Sequence, residues 1–288
     1  MPSASISDLE AGLGGPPEFT VRVPGRVNLI GEHIDYAGLP VLPMAIDRGI
    51  TLRGRRRTDT RVRVVSDRPG LGERVFDLAP SIPPGPDGDW GNYARAALQG
   101  LVASGRASAG FDALVTSDLP PAAGLSSSSA LVVATALAGL AAAGRPLPPA
   151  PHDAERLELA ELLADAERYV GVRGGGMDQA AILAGRAGCA ALVAFDPLRV
   201  RRVALPAGWV FVVAHSLAEA VKAGGAREAY NRRRAEVERA FGLVTARLGS
   251  EASGYAALLA THDAGELLLA GVVGLSLIHI SEPTRLRR

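Results

Sequence analysis

The chain has 288 residues, 48% of them hydrophobic and 21% charged, which is enough for a large core in one or two domains and excludes a disordered protein. The formal net charge is +1, so bulk electrostatics argue neither for nor against a polyanionic partner. Lys222 is the only lysine, and 30 of the 31 basic residues are arginines; they are scattered along the chain, which reads as GC-rich coding bias and not as a nucleic-acid surface.

Cys189 is the only cysteine, so an internal disulfide and a cysteine-based metal cluster are excluded. Its setting, "AGCAALVAF", reads as a buried strand with a small core residue. The start, "MPSASISDLE", has neither a basic region nor an apolar stretch, so it does not read as a secretory signal. The longest apolar runs are broken by Gly, Pro or charge, and no membrane span is expected. The expected location is the cytoplasm.

In chain order, residues 1–17 are rich in Gly, Pro and Ser and read as loose. Strands are predicted over Phe19–Val23, Ile50–Gly54, Arg61–Ser66 and Glu73–Leu78, where residues alternate or are β-branched. A loop follows at 79–89, then a helix over Trp90–Ser104 and a strand over Gly110–Ser117. The run "LPPAAGLSSSSALVVA" (119–134) is a turn feeding the start of a helix of about four turns. Asp153–Val170 is an amphipathic helix, and "GVRGGGMDQA" (171–180) a glycine-rich turn into another. Cys189–Phe195, Val200–Leu205 and Trp209–Ala214 read as short strands, and Ala226–Leu248 as a long charged helix. Strands mixed with helices without strict alternation predict an α+β fold. After Gly274 the chain reads "LSLIHISEPTRLRR", unlike the pattern before it; "LSLIHISEPTR" (275–285) resembles a translated sequencing adaptor and is set aside as non-native.

The usual phosphate loop with its lysine is absent, as is a Gly-x-Gly-x-x-Gly after a strand. Three other segments carry chemistry. "PGRVNLIGEHIDYAGLPVLPMAI" (24–46) gathers Arg26, Asn28, Glu32, His33 and Asp35 among glycines and apolar residues; polar groups this dense need partners, which a ligand with many hydroxyls would supply. Read blandly, it is a solvated turn between strands. The serine turn offers backbone amides at a helix N-terminus, suited to anions, and hydroxyls suited to phosphate or Mg²⁺; capping explains one serine and not four. In "RGGGMDQA" three glycines allow close backbone approach, and Asp178 at a helix start either caps it or handles a proton.

Together these segments resemble the galactokinase family within the galactose, homoserine, mevalonate and phosphomevalonate (GHMP) kinase group. "GRVNLIGEHIDY" looks like the galactokinase signature, "GLSSSSA" like the group's ATP motif and "GGGMDQ" like the segment with the catalytic aspartate, and the resemblance spans about Phe19 to Ala240. It implies a two-domain α+β fold. A ribosomal-protein-S5-like N-terminal domain would occupy 18–204, with sugar and ATP sites, and an incomplete ferredoxin-like domain 205–274, leaving 275–288 as the non-native tail. It implies ATP-dependent phosphorylation of the anomeric hydroxyl of galactose by a monomer, without nucleic-acid or membrane partners. Asp178 and Arg26 would be catalytic. Glu32, His33, Asp35, Gly175 and Tyr230 would bind sugar, and Gly124, Leu125, Ser126, Ser127, Ser128 and Ser129 would cradle ATP. Ser128 and Glu167 would contact Mg²⁺, and Trp90 would lie near the adenine.

Some details point to the N-acetylgalactosamine kinase branch: Ile34 where galactokinases have threonine, "AERYVG" (166–171), "DPLR" (196–199) and "LPAGWVFVVAHS" (205–216). Tyr230 points back to galactose. Ala122 and Ala123 stand where many members have glycine, and the family's third glycine-rich motif is absent. N-acetylgalactosamine phosphorylation, a non-catalytic galactose and ATP sensor, and an inactive fragment with an exposed apolar edge are therefore the alternatives.

Overall fold

The computed structural model describes residues 12–120, 123–147, 153–171, 174–214 and 225–263. Among the described residues seven strands are formed: β1 (Phe19–Asn28), β2 (Pro43–Arg56), β3 (Arg61–Ser66), β4 (Glu73–Asp77), β5 (Phe111–Ser117), β6 (Cys189–Ala194) and β7 (Arg199–Ala204). The helices are α1 (Gly91–Ala103), α2 (Ser127–Ala142), α3 (Asp153–Ala166), α4 (Met177–Ala184), α5 (Gly225–Leu248) and α6 (Tyr255–Thr261), with 3₁₀ turns at Asp35–Ala37 and Glu167–Val170.

Five strands form one sheet in the order β1-β2-β5-β3-β4, antiparallel except for the parallel β3–β5 pair. Register puts Val23, Ile50, Leu52, Val115, Ala113 and Val64 on one face, all buried. Against them pack Leu98 and Leu101 of α1, Val132, Val133 and Ala136 of α2, and Leu159 and Leu163 of α3. Most of α2 is buried, as its almost wholly apolar sequence requires: a helix apolar all round has no solvent face. The opposite sheet face carries arginines paired with acids, Arg22 with Asp118, Arg55 with Glu18, and Arg63 with Glu73.

Several sequence expectations change. The segment 24–46 is not a simple turn between strands: β1 continues to Asn28 through an irregularity at Pro24/Arg26, and β2 begins at Pro43, leaving a loop over 29–42. Residues 12–17 are not wholly loose, since Leu13 is buried. Cys189 starts β6 half-buried. Trp209–Ala214 is not a strand: no partner strand is laid beside it among the described residues, and Trp209, Val210, Val212 and Val213 are exposed. Pro121, Ala122 and everything after Asp263, including the adaptor-like tail, lie outside the described residues. Among the described residues no helix is long and apolar enough to cross a membrane.

Leu98 is fully buried and sits over Gly139, where an added Cβ would fall 2.7 Å from the Leu98 Cδ2. Leu98→Ala is expected to lower stability by about 2–5 kcal/mol, read as a fall in urea midpoint at unchanged slope.

Candidate active site

The N-terminus of α2 points at the site because the rest of the helix is immobilised in the core. Ser126, its N-cap, adopts a left-handed conformation with φ 55°, unusual for a residue with a Cβ, and its side chain makes no capping bond. Its Oγ instead donates to Asp178 Oδ2 at 2.5 Å. Ser129, one turn on, is fully buried and donates to Glu167 Oε1 at 2.6 Å, with Asp178 Oδ2 at 3.2 Å. The four serines therefore divide. The Ser129 hydroxyl, expected at ATP, turns inward to two carboxylates, while Ser127 and Ser128 line an open cleft with Ser126 and Gly124. Leu125 is buried, and its carbonyl accepts the Arg26 N–H at 3.2 Å.

Arg26 leaves β1 at the irregularity and reaches Asp178 in the first turn of α4. Its Nε donates to Asp178 Oδ1 at 2.7 Å and its Nη1 to the Gly124 carbonyl at 2.8 Å. The two side chains retain 13% and 18% exposure, so the pair is largely desolvated. Burial opposes the guanidinium charge, but Asp178, Glu32 and Asp35 outweigh it and raise the Arg26 pKa.

The loop over 29–42 forms the second wall. Asp35 opens a 3₁₀ turn, and its Oδ2 accepts the Gly175 N–H at 3.1 Å. Gly175 has to be glycine: a Cβ there would sit 2.3 Å from the Asp35 carbonyl carbon. Burial, reinforced by the Asp178 charge, raises the Asp35 pKa to about 6, against the lowering effect of the Tyr36 and Gly175 amides and Arg26. His33, with φ 60°, stacks near Tyr36 and Tyr230 at ring separations of 6.1 and 5.7 Å, and the two tyrosines meet edge to face at 5.5 Å. Burial and Arg233 lower the His33 pKa, and burial raises those of Tyr36, to about 12, and Tyr230. Glu32 is exposed at the rim and acts on Arg26 and His33 through its charge.

On the other side of the serine turn lies a cleft of about 990 Å³, lined by Trp90, Tyr93, Tyr169 and the apolar Ile50 and Leu71. Its size and mixed lining suit a nucleotide-sized ligand. The Trp90 ring faces this cleft while its Nε1 donates to the Leu71 carbonyl at 2.9 Å, and Arg74 lies over it at 5.6 Å. Asp67, also on the cleft, holds a buried Oδ1 with no hydrogen-bond partner among the described residues.

Residues 10–56 match the galactokinase galactose-binding signature, and residues 92–186 the N-terminal domain of GHMP kinases. The chain is 39% identical over 253 residues to a galactokinase of Chloroflexus aggregans, covering 86% of this chain and 60% of that protein. It is 35% identical over 259 residues to the galactokinase of Saccharomyces cerevisiae, covering 81% and 47%. The structure superimposes on Lactococcus lactis galactokinase complexed with galactose with a TM-score of 0.69 at 28% identity, covering 86% of this chain and 62% of that one. These matches make the chain similar to galactokinases over residues 10–56 and to GHMP kinases over residues 92–186. It spans about 60% of the Chloroflexus aggregans relative's length and less than half of the yeast one's.

Within the matched segments, Arg26, Asp178, Ser126, Ser129 and Glu167 form one hydrogen-bonded cluster, which Asp35 and Gly175 flank through their own bond. Asp67, Tyr93 and Tyr169 on the cleft, and Asn231 and Arg234 on α5, were not singled out from the sequence. Tyr93 sits within α1, Asp67 just past β3 and Tyr169 in the 3₁₀ turn over Glu167–Val170, none with a motif of its own. The polar character of "YNRRRAE" (230–236) was the one legible signal for the last two.

An acid whose folded pKa lies above its unfolded one stabilises the fold at low pH, and that contribution is lost as pH rises to the folded value. For Asp35 the window runs from the ordinary aspartate range to about 6. The stability of Asp35→Asn minus that of the wild type is therefore expected to grow with pH across this window, by up to about 3 kcal/mol. Urea midpoints at pH 4.5, 5.5 and 7 check the sign; a difference that shrinks with pH contradicts it.

Proposed function

We propose that the chain carries the sugar and nucleotide sites of a galactokinase, transferring the γ-phosphoryl group of ATP to the anomeric hydroxyl of galactose. The observation that carries the reading is the Asp178 carboxylate, held by Arg26 on one oxygen and Ser126 on the other, between the wall of Asp35, His33 and Tyr230 and the start of α2 that lines the cleft. Galactose is favoured over N-acetylgalactosamine because the relatives named above are galactokinases and the solved relative is a galactose complex.

In this reading Glu32, His33, Asp35, the Gly175 backbone and Tyr230 hold the sugar hydroxyls. Gly124 to Ser128, with the amides of the first turn of α2, hold the phosphates, where the helix dipole favours negative charge. Asp178 accepts the proton of the anomeric hydroxyl as its oxygen bonds to the γ-phosphorus and the bond to the β,γ-bridging oxygen breaks, releasing ADP. Arg26 favours the ionised hydroxyl and offsets charge on the moving phosphoryl group. Ser128 and Glu167 are hard oxygen donors that fit Mg²⁺. Among the described residues no three His, Cys, Asp or Glu side chains converge on a metal site, which suits an ion held chiefly by phosphates. When bound, Mg²⁺ would neutralise phosphate charge.

Residues 18–204 are read as the domain bearing both sites and 205–274 as the start of a second. The exposed Trp209, Val210 and Val212 support a further layer there. We read the chain as part of a monomeric cytoplasmic enzyme.

Galactose-dependent ADP release, measured by a coupled assay with galactose against N-acetylgalactosamine, should favour galactose. Asp178→Asn should lower it by about 10²–10⁴-fold, with galactose binding by calorimetry retained. Turnover of the variant within threefold of wild type, or a wild type that neither binds galactose nor releases ADP with it, would overturn the reading.

A further inference from the structure

Helix α5 touches the wall of His33 and Tyr36 and the glycine-rich loop, and two residues on it, Asn231 and Arg234, have no role in the reading above. Tyr230, Arg234, Val237 and Phe241 recur along one stripe of the helix, and Asn231 sits at its edge. The far half of the stripe is anchored: Val237 is buried, Phe241 packs on Tyr255 at 5.0 Å, and the Tyr255 hydroxyl donates to the Val237 carbonyl at 3.0 Å. The near half faces the site. Tyr230 meets His33 and Tyr36, while Asn231 Nδ2 donates to the Gly171 carbonyl at 2.8 Å. One turn on, Arg234 Nη1 approaches the Gly174 carbonyl at 3.4 Å.

Those two carbonyls bracket the glycine-rich loop. Gly171, with φ 77°, ends the 3₁₀ turn that starts at Glu167, and Gly176, with φ 97°, begins α4 two residues before Asp178. Gly174, Gly175 and Gly176 bring no side chains of their own, and glycine backbone samples many conformations unless it is held. Asp35 holds it from the sugar side through the Gly175 N–H. The opposing hold comes from α5.

We propose that Asn231 is a positioning residue: by donating to the Gly171 carbonyl it clasps the glycine-rich loop to α5, and so sets Asp178 and the Gly175 amide in register with the sugar wall that Tyr230 completes. The consequence for sugar rests on the galactokinase reading; the clasp itself does not. Misplacing a reacting group by about 1 Å costs up to about 10²-fold in rate, so a single amide here has leverage beyond its own bond strength.

The test is Asn231→Asp, which keeps the shape and replaces the donor with an acceptor facing the carbonyl, with Asn231→Ala read the same way in case the aspartate disturbs folding. Hydrogen exchange followed by mass spectrometry should show residues 171–178 exchanging about tenfold faster, with 241–248 unchanged. Calorimetric galactose affinity should fall about five- to tenfold while affinity for a non-hydrolysable ATP analogue stays put. Asn231→Gln, which keeps the donor, should recover part of the protection. Exchange over 171–178 within twofold of wild type in folded variants, or loosening shared equally with 241–248, would overturn the clasp. Faster exchange in variants of a wild type that binds no galactose would leave the clasp standing and remove the galactokinase reading.

Discussion

The site depends on the pairing of Arg26 with Asp178. Two residues 152 positions apart put opposite charges 2.7 Å from one another in a largely desolvated place. Such a pair recovers the cost of leaving water only if its geometry is good and its remaining donors and acceptors are satisfied, and losing one partner leaves an uncompensated buried charge. Both conditions shape the surroundings. The irregularity in β1 aims the guanidinium, the Gly124 carbonyl takes a second of its donors, and the Ser126 hydroxyl donates to the other oxygen of Asp178. The left-handed backbone at Ser126 follows from this demand: a strained conformation persists where several contacts over-determine it. The turn that would cradle phosphate is thus braced by the same carboxylate that would receive a proton.

Charge balance around that pair sets the chemistry available to its neighbour. Arg26 feels three carboxylates, Asp178, Glu32 and Asp35, and among them it donates to Asp178. Asp35 keeps two backbone amides and little water, so its ionisation is deferred to about pH 6. An acid in that state is a hydrogen-bond acceptor at neutral pH and can also donate in mildly acidic solution. It can therefore meet a polyhydroxylated ligand in either sense, while Asp178, paired with Arg26, is held as an acceptor.

Much of this was legible in sequence, unevenly. Element types followed from patterning, and β3 was placed to the residue, because β-branched alternation and amphipathic spacing are local signals. The start of α2 was legible from its serines, and their division was implicit in their spacing. Ser126 and Ser129 lie three apart and share a helix face, which here meets Asp178 and Glu167, leaving Ser127 and Ser128 to the cleft. The meeting of Arg26 with Asp178 was not legible from spacing at all, since it is made by β1 and α4 packing on the same buried helix; only the family resemblance suggested it. Trp209–Ala214 failed for a related reason. Its alternating apolar residues satisfy the local criterion for a strand, but a strand is a pairing, and no partner lies beside it among the described residues.

The division of labour between stiff and soft parts explains why the site is built where it is. The serine turn inherits its rigidity from α2, whose burial leaves no room for the helix to shift. Gly175 in the glycine-rich loop has no such backing, because close approach to Asp35 forbids a side chain there. Among the described residues, hydrogen bonds hold this backbone from Asp35 on one side, at Gly175, and from α5 on the other, at Gly171. Asp178 sits where these two regimes meet, one oxygen tied to the rigid turn through Ser126 and its backbone following directly from the loop. A carboxylate so placed passes any slackening of the loop to the wall of Asp35 and Tyr230, while the serine turn beside it stays held by α2. Contacts far from Asp178, on α5 in particular, therefore bear on the geometry of that wall.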